Sequence, residues 1–378
     1  MPTDYALLST YPPTQCGLAT FSAALLAHLP EPGDNVGVVR VLDEPAPRNS
    51  PLIVHDLVNS CAASAAAAVG IIDGFDVAIV QHEYGIYGGH DGEDLIPLLN
   101  ALTVPSIVVL HTVLADPTDH QRMVLDAVIS AADTIVTMTR TGRARVLGMY
   151  GTSPGKVVVV PHGAAGPLAA RSAALRRPGR PRVLTWGLLG PGKGIEHAIE
   201  AVARLRDGQG LRVDYTVAGQ THPRVRASSG ESYRKSLQAL ARARGVDDSV
   251  HFDGRYLPVS ALVDLVGTAD VVLLPYDSVE QVTSGVLIEA VTAAKPVIST
   301  RFPHAVELLS DGAGLLIERQ DPAGIAAALR RALTEPGLSE RMSRRAAGIA
   351  PQLLWPAVAS CYRELAATLT RIPAGATL

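Results

Sequence analysis

The sequence predicts an α/β protein of two parallel-sheet domains, each sheet covered by helices on both faces. Three observations carry this expectation. Short β-branched runs alternate with longer helical patterns along the whole chain, as repeated strand–helix–strand units require. The alternation is broken once, by the Arg- and Pro-rich stretch "RSAALRRPGRPR" at residues 171–182, and then restarts. Finally, 378 residues with 47% hydrophobic and only 18% charged side chains suit two cores, in domains of about 150 to 200 residues each.

In order, the first half reads as strands "YALLST" (5–10), "VGVVRV" (36–41), "DVAIVQ" (76–81), "SIVVLH" (106–111), "DTIVTM" (133–138) and "KVVVVP" (156–161). The second half gives "RVLTWG" (182–187), "RVDYTV" (212–217), "SVHFDG" (249–254), "DVVLLP" (270–275) and "PVIST" (296–300). Between them lie amphipathic helices. In "GIEHAIEAVARL" the residues Ile195, Ala198, Ile199, Val202 and Leu205 share one face, as a helix packed on a sheet needs. After Pro351, "LLWPAVASCYRELAATLTRI" reads as a terminal amphipathic helix. The expected boundaries are 1–165 for a first Rossmann-like domain, 166–182 for a linker, 183–352 for a second Rossmann-like domain, and 353–378 for a final helix returning to the first domain.

Composition excludes several function classes. A formal charge of -3 gives no electrostatic footprint for nucleic acid, and the basic residues of 171–182 lack interleaved aromatics. Cys16, Cys61 and Cys361 are odd in number and scattered, which argues against a disulfide framework or a zinc site. No segment reads as a signal peptide or membrane span. A cytoplasmic, soluble protein is expected.

In open α/β sheets, ligands bind beyond the carboxyl ends of the strands, and the unusual residues cluster there. "GLLGPGKG" (187–194) follows the first strand of the second half. It fits the phosphate-cradling pattern as far as Lys193, but Gly194 stands where a magnesium-holding Ser or Thr belongs. A glycine turn is needed sterically there with or without a ligand; the lysine is less routine, since it opposes the helix dipole. Lys193 is therefore expected to meet a phosphate, and an NTPase remains an alternative.

In "QVTSGVLIEA" (281–290), Thr283, Ser284 and Gly285 place a capping hydroxyl and free amides at a helix start, an anion site. Glu289 lies near the same mouth, where its carboxylate can accept ribose hydroxyls; a simple cap followed by a surface glutamate is the other reading. "QCGLATF" (15–21) is a second glycine turn, with Thr20 expected as the cap, where Gly17 either admits a phosphate or only shapes the turn. His82, Glu83, His111 and His162 also follow strands, as structural histidines or as functional ones. No D-x-D or H-E-x-x-H occurs, so no metal site is expected.

These residues resemble a family. "GLLGPGKGIEHAIEAVARL", "VAGQTHP", "VHFDGRYLPVSALVDLVGTADVVLLPY", "SGVLIEAVTAAKPVIST" and "GLLIERQDPAGIAAAL" resemble the donor domain of family 4 retaining glycosyltransferases of the GT-B fold. "YPPTQCGLATFSAAL", "QHEYGIYGGHDGEDLIPLL" and "VVLHTVLADPTDHQ" are similar to a bacterial subgroup of that family with mostly undefined acceptors. The likeness spans almost the whole chain.

It implies two domains facing across a cleft. It also implies retaining transfer of a sugar from a GDP- or UDP-linked donor to an acceptor hydroxyl, with no required metal or other cofactor. The implied partners are the sugar nucleotide and a small-molecule or glycan acceptor, with no nucleic acid. By resemblance, Gly17 approaches the donor diphosphate, His111 lies beside the transferred sugar, Lys193 neutralises the leaving diphosphate, and Glu289 holds the ribose.

Two positions depart from the family pattern. Gln281 replaces a sugar-contacting glutamate, and Leu188 replaces the arginine expected after Gly187. Arg255 is the candidate for the missing cation, since a guanidinium can grip phosphate oxygens in bidentate fashion. The implied donor set is Gly17, Gly187, Lys193, Gln220, Arg255, Gln281, Ser284, Gly285, Val286 and Glu289, with His111, Lys193 and Gln281 as catalytic residues. Cys16, His82, Glu83, Tyr84 and His162 are expected on the acceptor side. A sugar-nucleotide-binding protein without turnover is the alternative.

Overall fold

A computed structural model describes residues 2–166 and 179–371. Most of the expected linker, 167–178, and the end of the expected terminal segment, 372–378, lie outside the described residues. The chain divides into two compact units, Met1–Gly163 with Trp355–Leu378, and Ala164–Leu354.

In the first unit the strands are β1 (Tyr5–Ser9), β2 (Val36–Leu42), β3 (Ile53–Val58), β4 (Val77–His82), β5 (Ser106–Leu110), β6 (Thr134–Thr137) and β7 (Val157–Val159). They form one parallel sheet in the order β3-β2-β1-β4-β5-β6-β7. The second unit repeats the plan with β8 (Arg182–Trp186), β9 (Asp214–Ala218), β10 (Val250–Asp253), β11 (Val271–Leu274), β12 (Val297–Thr300) and β13 (Gly314–Ile317). Its parallel order is β10-β9-β8-β11-β12-β13. Both are Rossmann-like sheets, as the alternating pattern predicts.

Strand order reverses between β1 and β4 in one sheet and between β8 and β11 in the other. At such a switch point the two flanking loops leave in opposite directions and open a crevice at the strands' carboxyl ends. Ligand chemistry is therefore expected after β1, β4, β8 and β11.

Two strands escaped the sequence reading. β3 carries His55 and Asp56 within "IVHDLV", which breaks the apolar run. Asp56 is polar because it faces the fully buried Arg40 of β2, whose Nε lies 2.8 Å from its carboxylate. β13 is only "GLLI", too short and too poor in β-branched residues to stand out.

The predicted face of the helix Ile195–Gln209 is buried at all five named positions. The helix Trp355–Arg371 sends Trp355, Val358, Ala359 and Tyr362 into the first unit's core, against Leu7, Phe21, Ile79 and Val109. The 3- and 4-residue spacing puts these side chains on one stripe. Burying each of the larger ones stabilises the fold by about 1.5–3 kcal/mol. Gly163 lies against the Trp355 ring, and any Cβ there would collide with it. Among the described residues no helix is long and apolar enough to cross a membrane.

Candidate active site

In the second unit, the turn after β8 is shaped by three glycines with positive φ: Gly187 (121°), Gly192 (85°) and Gly194 (63°). Gly194 caps the helix Ile195–Gln209, and a Cβ on it would strike the Pro275 carbonyl oxygen at the end of β11. Glycine is thus obligatory where the two switch-point strands approach. The Gly192 carbonyl accepts from the Asp277 amide at 2.9 Å, and the Leu189 amide donates to Gln220 O at the same distance. The turn is pinned on both sides.

Lys193 stands in this turn with its Nζ 4.2 Å from the centroid of the Tyr276 ring. Burial lowers its pKa, with no carboxylate acting against that shift. A partly desolvated ammonium over an aromatic face is attracted by the ring but keeps unspent hydrogen-bonding capacity. The buried Tyr276 hydroxyl faces Ser284, and the ring stacks on Phe302 with centroids 5.4 Å apart. Tyr276 therefore ties the lysine turn to the next helix.

Ser284 is the N-cap of the helix Gly285–Thr292, its hydroxyl accepting from the Leu287 amide at 3.3 Å. Its own amide donates to His304 Nδ1 at 2.9 Å. Val286, on the first turn, is the neighbour that a Cβ on Gly187 would meet at 3.5 Å. Glu289 accepts from the Trp186 indole Nε1 at 2.8 Å. Burial pushes the Glu289 carboxyl up, and the indole bond only partly counters it. Gln281 is half-buried just before this helix, and its carbonyl accepts from the His304 amide. Gly187, Lys193, Ser284, Gly285, Val286 and Glu289 thus gather around the β8/β11 switch point.

Arg255 stands apart from them. Its guanidinium is exposed and forked onto Asp253, at 2.9 and 2.6 Å, because the turn after β10 brings the two side chains together two residues apart. A different cation lies nearer, Arg234. It is 11% exposed, donates from Nη2 to Gly219 O at 2.7 Å, and bonds Glu231 through Nε at 3.1 Å. Gly219 in turn packs against the Gly187 backbone so closely that it tolerates no Cβ. Arg234 Nη1 is buried without a hydrogen-bond partner. The sequence carried no signal for it, since "SYRKSLQAL" reads as an ordinary amphipathic helix.

In the first unit, His111 Nε2 lies 2.7 Å from Gln81 Oε1. An amide oxygen only accepts, so this nitrogen carries the proton and Nδ1 keeps its lone pair. Burial, and then the charges that His162 and His82 would carry, hold the His111 pKa down at about 3. His162, held at about 4 by burial, donates from Nδ1 to Gly163 O at 2.7 Å. Both rings stand edge-on to Phe21, with centroids 4.9 and 5.0 Å away. All three histidines after these strands are neutral at ordinary pH.

Three expectations change here. His82 is fully enclosed, with both ring nitrogens unpartnered and its ring against Tyr84, so its side chain has no exposed surface, contrary to the expectation. Gly17 has no positive φ and open space beside its Cα, so the turn places no steric demand on it. The helix there starts at Gly17 with Cys16 as N-cap, its Sγ accepting from the Ala19 amide at 3.4 Å. Thr20 therefore falls inside the helix, its hydroxyl on Cys16 O. Glu83 accepts from the Thr112 hydroxyl at 2.5 Å, and Tyr84 reaches Gln121 O at 3.4 Å.

Residues 169–348 match the family described as glycosyl transferases group 1. The matched segment lies within the second unit. The chain is also 31% identical over 272 residues to the D-inositol 3-phosphate glycosyltransferase of Acidothermus cellulolyticus, covering 67% of this chain and 59% of that protein. The protein of that name from Kineococcus radiotolerans is 32% identical, over 63% of this chain and 58% of its own length. The chain therefore spans less than two thirds of these curated relatives.

Among solved structures, Anabaena Alr3699/HepE in complex with UDP aligns with a TM-score of 0.74 and 17% identity, over 98% of this chain and all of that one. Sucrose-phosphate synthase from Thermosynechococcus elongatus aligns with a TM-score of 0.71 and 18% identity, over 97% of this chain and all of that one. These likenesses establish the GT-B fold class. The segment that matches this family contains Lys193, Arg234, Tyr276, Ser284 and Glu289.

Proposed function

We propose that the protein is a retaining glycosyltransferase that moves a sugar from a nucleoside diphosphate sugar to an acceptor hydroxyl without a required metal. The observation that carries this reading is Lys193, a desolvated cation with no carboxylate acting on its pKa, fixed over Tyr276 in a glycine turn at a switch point. Such a site suits a diphosphate leaving group. The Ser284-capped helix adds free amides and a favourable dipole for the same charge. Glu289, oriented by the Trp186 indole, holds the ribose, and Gln281 meets a sugar hydroxyl.

Arg234 supplies a second positive charge in place of the arginine absent at Leu188; Arg255 joins it only if it releases Asp253. UDP is the favoured nucleotide, since Anabaena HepE, of like fold, is seen with UDP; GDP is the competing base. On the first unit, neutral His111 orients the sugar through its free Nδ1, and Cys16, Glu83, Tyr84 and His162 lie on the acceptor side.

As the bond from the anomeric carbon to the diphosphate oxygen breaks, the acceptor oxygen forms its new bond on the same face. The acceptor proton passes to a donor phosphate oxygen. Charge grows on the diphosphate, and a preplaced lysine stabilises that charge more in the transition state than in the ground state.

The test is turnover of UDP- and GDP-sugars over an acceptor panel. Lys193→Ala should lower kcat/KM by about 2–4 kcal/mol in activation free energy with the fold intact by circular dichroism. An unchanged rate refutes the role of Lys193. Tight nucleotide binding with no acceptor-dependent release of nucleoside diphosphate would favour the binding-protein reading that Leu188 and Gln281 suggest.

A further inference from the structure

Farther along the loop after β4, that loop and the start of the helix Asp119–Ala131 bring four metal-type ligands together. His90 Nδ1 lies 2.9 Å from His120 Nδ1. Asp91 Oδ2 lies 3.0 Å from His120 Nδ1 and 3.6 Å from His90 Nδ1. Asp91 reaches this point through a positive φ of 53°, between Gly89 at 77° and Gly92 at 80°. Its second oxygen faces Gln121 Nε2 at 3.5 Å. On the far side of the ring, His120 Nε2 lies 3.3 Å from Glu93 Oε2.

Neutral His120 cannot serve all these neighbours. With its proton on Nε2 for Glu93, its Nδ1 lone pair can accept from a protonated His90 Nδ1 but faces the lone pairs of Asp91. With the proton on Nδ1, the Glu93 carboxylate is left facing another lone pair. A cation that accepts three electron pairs at once resolves the conflict.

The separations favour the cation. Donor atoms around a tetrahedral zinc at about 2.0–2.1 Å sit roughly 3.3 Å apart, and the three distances here bracket that value. Glu93 then takes the place of the outer carboxylate that orients a metal-bound imidazole and raises its basicity. Two imidazoles and one carboxylate select a borderline transition metal, whereas magnesium and calcium prefer all-oxygen sites.

We propose that His90, Asp91 and His120 bind one divalent transition metal of the zinc class, with Glu93 as the positioning residue and a fourth position open to solvent beside the exposed His90. The metal cross-links the loop that carries Glu83 and Tyr84 to the helix Asp119–Ala131. It has no part in the transfer step.

The test is calorimetric titration of the metal-stripped full chain with zinc chloride, alongside cobalt chloride followed by visible absorption. The expected result is one zinc per chain, tetrahedral cobalt absorption, and a zinc-dependent rise in the unfolding temperature. His90→Ala/His120→Ala should abolish all three, and Glu93→Gln should weaken zinc about 10- to 100-fold. Without any substitution, the imidazole NMR signals of both histidines in the parent must move with zinc and not with magnesium. Absence of zinc binding by the parent, or equal binding by the double variant, overturns the proposal.

Discussion

Lowering the pH from about 7 to about 5 should destabilise the first unit through His82, His111 and His162. Burial holds their folded pKa values at about 4, 3 and 4, against about 6.5 in an unfolded chain. A base with a depressed folded pKa contributes stability that is present above its unfolded pKa and lost as pH falls toward the folded value. The unfolded chain takes up protons that the folded chain refuses. At pH 5, about 1.5 pH units below the unfolded pKa, each histidine costs about 2 kcal/mol, so the three together cost about 5–6 kcal/mol. That is a large share of the 5–15 kcal/mol typical of a domain.

The assay is urea unfolding at pH 7, 6 and 5, followed by tryptophan fluorescence. The chain has two tryptophans, Trp186 and Trp355, so a Trp186→Phe background leaves Trp355 to report the first unit. His82→Leu, neutral at every pH, should remove about a third of the acid-induced loss. If His82→Leu loses as much stability between pH 7 and 5 as its parent, the enclosed neutral histidine is not what makes the unit acid-sensitive.

Two further predictions concern buried guanidinium groups. Asp56→Ala should cost about 3–5 kcal/mol by urea unfolding, because it leaves Arg40, 1% exposed, without its counter-charge; a loss under 1 kcal/mol would contradict this. Burial opposes the Asp56 charge, but bonds from Arg40 and Arg48 outweigh it and hold the carboxyl low, so this stability should persist at neutral pH and fade only as pH drops through that lowered value. Arg234→Met should weaken nucleoside diphosphate binding in calorimetry more than Arg255→Ala does, and the reverse order would restore Arg255 as the donor cation.

The sequence made legible whatever depends on chain-local chemistry. Strand ends, the glycine turn around Lys193 and the Ser284 cap all arise from short-range sterics and hydrogen bonding, which a linear pattern records. Tyr276, Trp186 and Arg234 gain their meaning from partners far along the chain: Trp186 meets Glu289 and Arg234 meets Gly219 only after the sheet has formed. The cluster of His90 and His120 was invisible for the same reason, because its histidines stand 30 residues apart and fit no contiguous motif. Thr20 misled as a cap because a cysteine thiol four residues earlier does that work.

Where the fold leaves polar groups unsatisfied also carries information. Among the described residues, eight buried side-chain atoms lack a hydrogen-bond partner. Six of them belong to Gln81, His82, Arg234, Tyr276 and Asp277, which surround the two switch points. Each such atom costs about 1–3 kcal/mol in a dry interior, so a sequence under pressure only for stability would replace them with apolar groups of similar shape. Tyr276 sits on Phe302 and supports Lys193 by its ring, while its hydroxyl faces Ser284. Gln81, His82 and Tyr276 are fully enclosed, but Arg234 and Asp277 reach the surface, and their unspent capacity at the second switch point suits polar partners that arrive with a ligand.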